Sequence, residues 1–404
     1  MKYAIVTFGC RVNQADSLVI EEGLRAGGGV ESPPDAADVV VVNTCSVTAS
    51  ADQGARQTIR RIVRSNPSAR LIVTGCYATR RPDEVRALPH VALVVPNDAK
   101  DDLGLTTATR FGDGDGACGG ALAPGAAGRT ALTLRVQTGC EEQCSYCIIP
   151  TTRGASRSRP LDAVVDHIRR AVAAGYREIA ITGVHLGSYG RDLSGDHTLA
   201  ALIRVLSEWP DEVLFRISSL EPMDCGAEIV EMVASSPRLA PHVHLPLQHG
   251  SDEILRAMRR PYAVAYYRRL VDRIHDAMPH ASIGTDIIVG FPGEDARHFE
   301  EMRGVLEALP LSYLHVFPYS DRPGTEAEKV RRKVDGRDIR ERARQVRDIG
   351  ARKATAFRAR HVGSPRRALV VNDGWSAVTD NFLKIRLDER HERNTWVNAV
   401  VDGG

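Results

Sequence analysis

Leu132-Thr133-Leu134-Arg135-Val136-Gln137-Thr138-Gly139-Cys140-Glu141-Glu142-Gln143-Cys144-Ser145-Tyr146-Cys147 joins a strand pattern to a ligand loop. Leu132 to Gln137 alternates apolar and polar side chains, the period of a β-strand. It runs through Gly139 into CxxxCxxC, with Cys140, Cys144 and Cys147 as the three thiols. A 4Fe-4S cluster normally takes four thiolates, so three at this spacing leave one iron open. Chelation of that iron by amino and carboxylate groups is what radical chemistry on S-adenosylmethionine requires. Zinc would want a fourth Cys or His close by. The nearest downstream histidine is His167, inside a helical pattern.

The same strand opens a βα series. Further strands are predicted at Glu178 to Thr182, Val213 to Ser218, His242 to Pro246, Ile283 to Val289 and Tyr313 to Pro318, with helices such as Leu161 to Ala174 and Asp295 to Leu309 between them. Six units over 131–330 are too few for a closed eight-stranded barrel and predict an open, partial (β/α)6 barrel. Thr182, Gly183 and His185 end its second strand, Ser218 and Glu221 its third, and Gln248 its fourth, while Asp286 lies within its fifth. Together they outline a cofactor pocket, although each alone is equally compatible with a structural role. Gly290-Phe291-Pro292-Gly293 matches neither a Walker loop nor a dinucleotide fingerprint. Arg153, Arg157 and Arg159 follow the cysteine loop, where guanidinium groups could hold substrate phosphates, shield cluster charge or simply face water.

Residues 1–100 alternate strand and helix patterns, which suggests an open parallel α/β sheet. Its strands are expected at Tyr3 to Phe8, Asp38 to Asn43 and Arg70 to Thr74, with a helix from about Ala51 to Arg64. Cys10, Cys45 and Cys76 each follow one of these strands. The carboxyl edge of such a sheet is where sites form. Three cysteines at one edge suggest a second metal centre with one iron again open, and three small buried side chains are the plainer alternative. Residues 101–130 read as a Gly/Ala-rich linker, with Cys118 inside it. Residues 331–361 predict a connecting helix, and 362–404 a small β-module with short runs at Ala368 to Val371, Phe382 to Ile385 and Trp396 to Val401.

Composition narrows the class. Of 404 residues 43% are hydrophobic and 26% charged, and no apolar run reaches the length of a membrane span. The first ten residues lack the pattern of a cleaved leader, so a cytoplasmic protein is expected. Eight cysteines in a reducing compartment point to metal ligands or core positions before disulfides. The net charge is +2, yet 331–360 holds 12 Lys or Arg against 4 Asp or Glu. That stretch is either a solvated helix or a surface facing phosphates.

Phe8-Gly9-Cys10-Arg11-Val12-Asn13, Asn43-Thr44-Cys45-Ser46-Val47-Thr48, Thr74-Gly75-Cys76-Tyr77 and Gly139 to Arg159 together resemble the methylthiotransferases. These are radical S-adenosylmethionine enzymes with an auxiliary-cluster domain, a radical barrel and a TRAM module. The resemblance covers the whole chain. It implies that Cys140, Cys144 and Cys147 hold the radical cluster and that Cys10, Cys45 and Cys76 hold an auxiliary one. Thr182 to Gly190 looks most like the branch acting on N6-threonylcarbamoyladenosine at position 37 of tRNA. The implied reaction uses one S-adenosylmethionine to methylate a sulfur on the auxiliary cluster. A second gives a 5′-deoxyadenosyl radical that removes hydrogen from C2 of the adenine. The implied partners are the tRNA anticodon loop and an electron donor such as flavodoxin or ferredoxin. Isopentenyladenosine in tRNA or a ribosomal-protein aspartate are the alternative substrates, and a non-catalytic zinc and RNA-binding protein is the alternative from another class. The tail, residues 366–401, is short for a complete TRAM β-barrel.

Overall fold

Val39-Val40-Val41-Val42 is fully buried and becomes the middle of a five-stranded parallel sheet. β-Branched residues suit a strand covered on both faces. Val40 and Val42 pack into one core with Leu71 and Val73, while Val39 and Val41 pack into another with Tyr3 and Ile72. The strands lie in the order Val30–Glu31, Lys2–Thr7, Val39–Thr44, Arg70–Gly75, Val91–Val95, all parallel. The chain therefore reverses its direction of growth between Lys2–Thr7 and Val39–Thr44, which opens a crevice at their carboxyl ends. The two outer strands escape the sequence reading, Val30–Glu31 because it has only two residues, while Val91–Val95 is not singled out there.

The computed structural model describes residues 1–112, 122–125, 128–195 and 197–403. Cys118 and the rest of 113–121, with 126–127, lie outside these residues, while Leu103–Phe111, inside the stretch expected to be a linker, is a helix packed on Arg11–Ala26.

The second unit has six parallel strands. Leu132–Arg135, Glu178–Thr182 and Leu214–Ile217 form one half. His242–His244, Ser282–Val289 and Tyr313–Pro318 form the other. The halves meet through the Phe215–Leu239 bridge, and Leu220 N donates to His244 O at 2.9 Å. The result is an open, six-stranded partial barrel around one large apolar core. The helix Arg11–Ala26 packs against its first strand and ties it to the N-terminal sheet.

A helix of 24 residues, Gly336–Ala359, leads to the tail. Its charge faces the protein more than expected. Arg342 pairs with Glu294 at 2.7 Å, Arg344 with Glu341 and Asp348, Arg352 with Glu307, and Lys353 donates to the carbonyls of Glu307 and Leu309. Part of the local excess of cations is therefore paired with the rest of the protein, whereas Arg344 pairs only within its own helix. The tail is a four-stranded antiparallel sheet in the order Lys384–Arg386, Ser376–Thr379, Pro365–Val371, Trp396–Val400. Phe382, expected in a strand, instead occupies a turn with φ of 72°. The turn seats against the amino ends of the barrel strands. Arg216 Nη1 donates to Asp380 O at 3.1 Å, Asn381 Nδ2 donates to His280 O at 2.9 Å, and the Phe382 ring lies 4.5 Å from that of His242. Among the described residues no helix is long and apolar enough to cross a membrane.

Candidate active site

Cys10, Cys45 and Cys76 converge at the crevice edge. Cys10 caps the helix Arg11–Ala26, Cys45 follows its strand, and Cys76 is the first residue of the helix Cys76–Arg80. Gly9 makes room for this convergence: its φ is 88°, and a Cβ there would sit 2.5 Å from Cys45 Sγ. Such a backbone favours glycine. Asn97 Nδ2 reaches Cys76 Sγ at 3.6 Å and also donates to Thr152 O at 2.8 Å, so it spans from the sheet edge to the second cysteine loop.

That loop is held from three sides. Beside Cys140 stands His185, whose Nε2 is 2.8 Å from Asp224 Oδ2. Burial opposes the imidazolium, but hydrogen bonds to Asp224 and Cys140 outweigh it and raise His185 to about 10. Arg260 Nη1 donates to Cys144 Sγ at 3.2 Å while its other arm is paired with Glu221. Cys147 Sγ accepts from Ile149 N at 3.5 Å. From beneath, Gln137 Nε2 donates to Gly139 O at 2.8 Å and Gln137 Oε1 accepts from His185 N at 2.9 Å. Asp224, Arg260 and Gln137 carry no motif in the sequence, and their contacts with His185 and Cys144 join residues distant along it. His185 and Glu221 are the supports that the sequence reading names.

Cys147, Tyr146, Gln248, Asp286 and Phe317 line a cavity of about 200 Å³ with Val47 and Thr48, the residues just beyond Cys45. The pocket is thus bounded by Cys147 of one cysteine group and by the segment that follows Cys45 of the other. Gln248 has φ of 69°, in the left-handed region, and is pinned there by Gln248 N to Asp286 O and Ile288 N to Gln248 O. Strain of this kind gathers at binding sites. Asp286 Oδ1 meets His244 Nε2 at 2.9 Å and His315 Nδ1 at 3.1 Å. Burial would raise its carboxyl, but these two contacts prevail and hold it down to about 2. Thr182 and Ser218 are buried, and Ser218 Oγ has no partner among the described residues. Gly183 lies against Gln137.

The three arginines separate. Arg153 is buried and turned inward: its Nη2 lies 2.5 Å from Asn13 Oδ1 and 2.9 Å from Asp16 Oδ2. It is therefore closed to a substrate phosphate and faces Cys10 and Cys76 instead. Arg159 is half-buried near Glu22 and Arg170, whereas Arg157 is exposed.

The donor set fits iron-sulfur ligation. Cys10, Cys45, Cys76, Cys140, Cys144 and Cys147 are all free of disulfides. Burial pushes Cys45 and Cys147 up to about 12, so both are neutral thiols near pH 7 until a metal cation stabilises the thiolate.

Family models match in two blocks, "Uncharacterized protein family UPF0004" over residues 2–96 and "Radical SAM superfamily" over residues 134–306. A threonylcarbamoyladenosine tRNA methylthiotransferase MtaB of Aquifex aeolicus (strain VF5) is 35% identical, covering 99% of this chain and 100% of its own. The chain belongs to the radical S-adenosylmethionine methylthiotransferases, in their MtaB branch. A tRNA-2-methylthio-N(6)-dimethylallyladenosine synthase of Herpetosiphon aurantiacus is 34% identical over 81% of this chain and 76% of its own. Among solved structures, the radical S-adenosylmethionine methyltransferase TsrM of Kitasatospora setae shares the fold with a TM-score of 0.59 at 14% identity, covering 81% of this chain and 76% of its own. Membership makes the chain a sulfur-transferring enzyme that uses S-adenosylmethionine and 4Fe-4S clusters.

Proposed function

We propose that this enzyme converts N6-threonylcarbamoyladenosine at position 37 of tRNA to its 2-methylthio derivative, in the cytoplasm, with electrons from a donor such as flavodoxin or ferredoxin. The observation that carries the reading is the cavity shared by Cys147 and by Val47 and Thr48 beyond Cys45. A carbon lodged there would lie beside Cys147 and beside the segment that follows Cys45. In this reading Cys140, Cys144 and Cys147 hold the radical cluster, and Cys10, Cys45 and Cys76 hold the auxiliary one. When bound, these groups supply a 5′-deoxyadenosyl radical on one side and a transferable sulfur on the other.

The chain's own task is placement and exclusion of water. Arg260 and His185 set positive charge against Cys144 and Cys140. Gln248 and Asp286 offer polar contacts to the nucleoside part of S-adenosylmethionine, and Tyr146 and Phe317 offer apolar cover. Thr182, Gly183, Ser218 and Glu221 line the side where its methionine part would lie.

Nucleoside analysis of tRNA from cells with and without the gene tests the substrate. The 2-methylthio threonylcarbamoyl nucleoside should vanish on deletion. Its persistence, with loss of a 2-methylthio isopentenyl nucleoside, would move the enzyme to the other tRNA branch. The role of Gln248 has its own test. Gln248→Gly should leave stability within about 1 kcal/mol, since relief of left-handed strain offsets the added chain entropy. It should nonetheless raise the KM for S-adenosylmethionine roughly tenfold, the loss of one ordinary hydrogen bond. Gln248→Val should also lower the melting temperature.

A further inference from the structure

A second cavity, of about 460 Å³, lies between the helix Arg11–Ala26, the barrel and the β-module. Its charged lining is one-sided. Arg11, Arg129, Arg216 and Lys384 face it, against the single carboxylate of Glu178. Glu178 is already engaged, because Arg216 Nε donates to it at 3.0 Å. His242, close by, adds no charge, since burial with Arg216 and Arg11 nearby keeps its imidazole neutral.

Arg11 stands out in this set. Among the described residues it makes no hydrogen bond and no ion pair, although it is half-buried. Its guanidinium lies 5.8 Å from the centre of the Phe382 ring, and the charge of Arg216 opposes it from nearby. An arginine partly withdrawn from water beside another cation costs free energy unless an anion completes it. The missing partner is an anion, and the guanidinium fork fits a carboxylate in two parallel hydrogen bonds.

We infer that Arg11 binds the threonyl carboxylate of the modified adenosine and so selects the threonylcarbamoyl substrate. The inference rests on the proposed function and deepens it. C2, which receives the sulfur, and C6, which carries the threonylcarbamoyl group through N6, flank the same ring nitrogen N1. Whatever grips that group must therefore stand close to the point of sulfur delivery. Arg11 follows Cys10 directly, and its guanidinium reaches from there to the Phe382 ring at the second cavity. An isopentenyl group has no charge to offer it. A backbone phosphate of the tRNA is the other source of an anion, and the test separates the two.

Three anticodon stem-loop RNAs serve as probes of the reconstituted enzyme: one with threonylcarbamoyladenosine at position 37, one with the methyl ester of that carboxylate, and one with plain adenosine. The parent enzyme should bind the first about tenfold or more tightly than the second, the range expected of a charge-assisted pair. Arg11→Met should bind the first no better than the parent binds the ester, with its affinity for the ester and the plain RNA unchanged. Arg11→Lys should recover part of the preference. Unchanged iron content and melting temperature in both variants would show that the fold survives. If Arg11→Met still prefers the carboxylate, or weakens on all three RNAs alike as a phosphate contact would, the assignment of Arg11 is overturned while the substrate reading stands. If the parent itself does not distinguish the first RNA from plain adenosine, the substrate reading falls with it.

Discussion

Cys76→Ala is expected to halve the iron of the anaerobically reconstituted enzyme, from about eight to about four atoms per chain. It should abolish methylthio transfer while 5′-deoxyadenosine is still formed from S-adenosylmethionine. Cys147→Ala should also leave about four iron atoms but give no 5′-deoxyadenosine at all. The asymmetry follows from which elements carry the two thiols. Cys76 stands at the end of Arg70–Gly75 in the N-terminal sheet, and Cys147 on the loop after the first barrel strands. Removing Cys76 leaves Asn97 still bonded to Thr152 O at 2.8 Å, so the barrel loop keeps its support. Its other supports, Gln137, His185 and Arg260, all belong to the barrel. Retention of about eight iron atoms in Cys76→Ala would contradict the two-cluster assignment. Loss of 5′-deoxyadenosine in that variant would show that the two sites cannot be loaded independently.

The strands were legible because their signal is local. Glu178–Thr182 and Tyr313–Pro318 have the bounds that their apolar runs suggest, and all six cysteines stand where strand endings place them. The supports of the site were not legible because their partners are remote. Arg260 meets Glu221 across 39 positions and Asp16 meets Arg135 across 119, and no periodicity encodes such a pair. Arg153 shows the same limit from the other direction. Nearness in sequence to the cysteine loop suggested a role at the site, but cannot tell which way a guanidinium turns. The carboxylate at Asp16 decides that, and it lies 137 positions away. Ser376–Thr379 was missed for a different reason, since four residues with two small polar ones carry little strand signal until Pro365–Val371 pairs with them.

Asp16→Ala is expected to be the most destabilising single change outside the apolar cores, costing about 3–5 kcal/mol. The side chain of Asp16 is wholly buried and meets three cations: Lys100, Arg135 and Arg153, the last at 2.9 Å. These come from separate stretches: Lys100 follows the N-terminal sheet, Arg135 ends the first barrel strand, and Arg153 follows the cysteine loop. One carboxylate thus fastens the two halves of the site. Without it three cations face one another, and among the described residues only Arg135 keeps a carboxylate, Asp101 at 2.6 Å, while Arg153 and Lys100 keep only the neutral side chains of Asn13, Thr138 and Asn97. Desolvation would favour the neutral acid, but Lys100, Arg153 and Arg135 outweigh it and hold Asp16 well below the usual carboxylate range. A depressed folded-state value means the unfolded chain binds the proton first as pH falls. The contribution of Asp16 is therefore complete above about pH 4, the ordinary carboxylate value, and drains away below it. Denaturation midpoints across pH 3 to 7 should show a steep acid limb in the parent and a flatter one in Asp16→Asn, which is already weakened at neutral pH. Asp83→Ala is the matched control. That carboxylate is 92% exposed in its pair with Arg86, and its loss should change stability by no more than about 0.5 kcal/mol. Because the loop and the sheet edge would also lose their common anchor, methylthio transfer should fall further in Asp16→Ala than 5′-deoxyadenosine formation does. Equal losses in the two would mean that Asp16 holds the fold without setting the distance between the two cysteine groups.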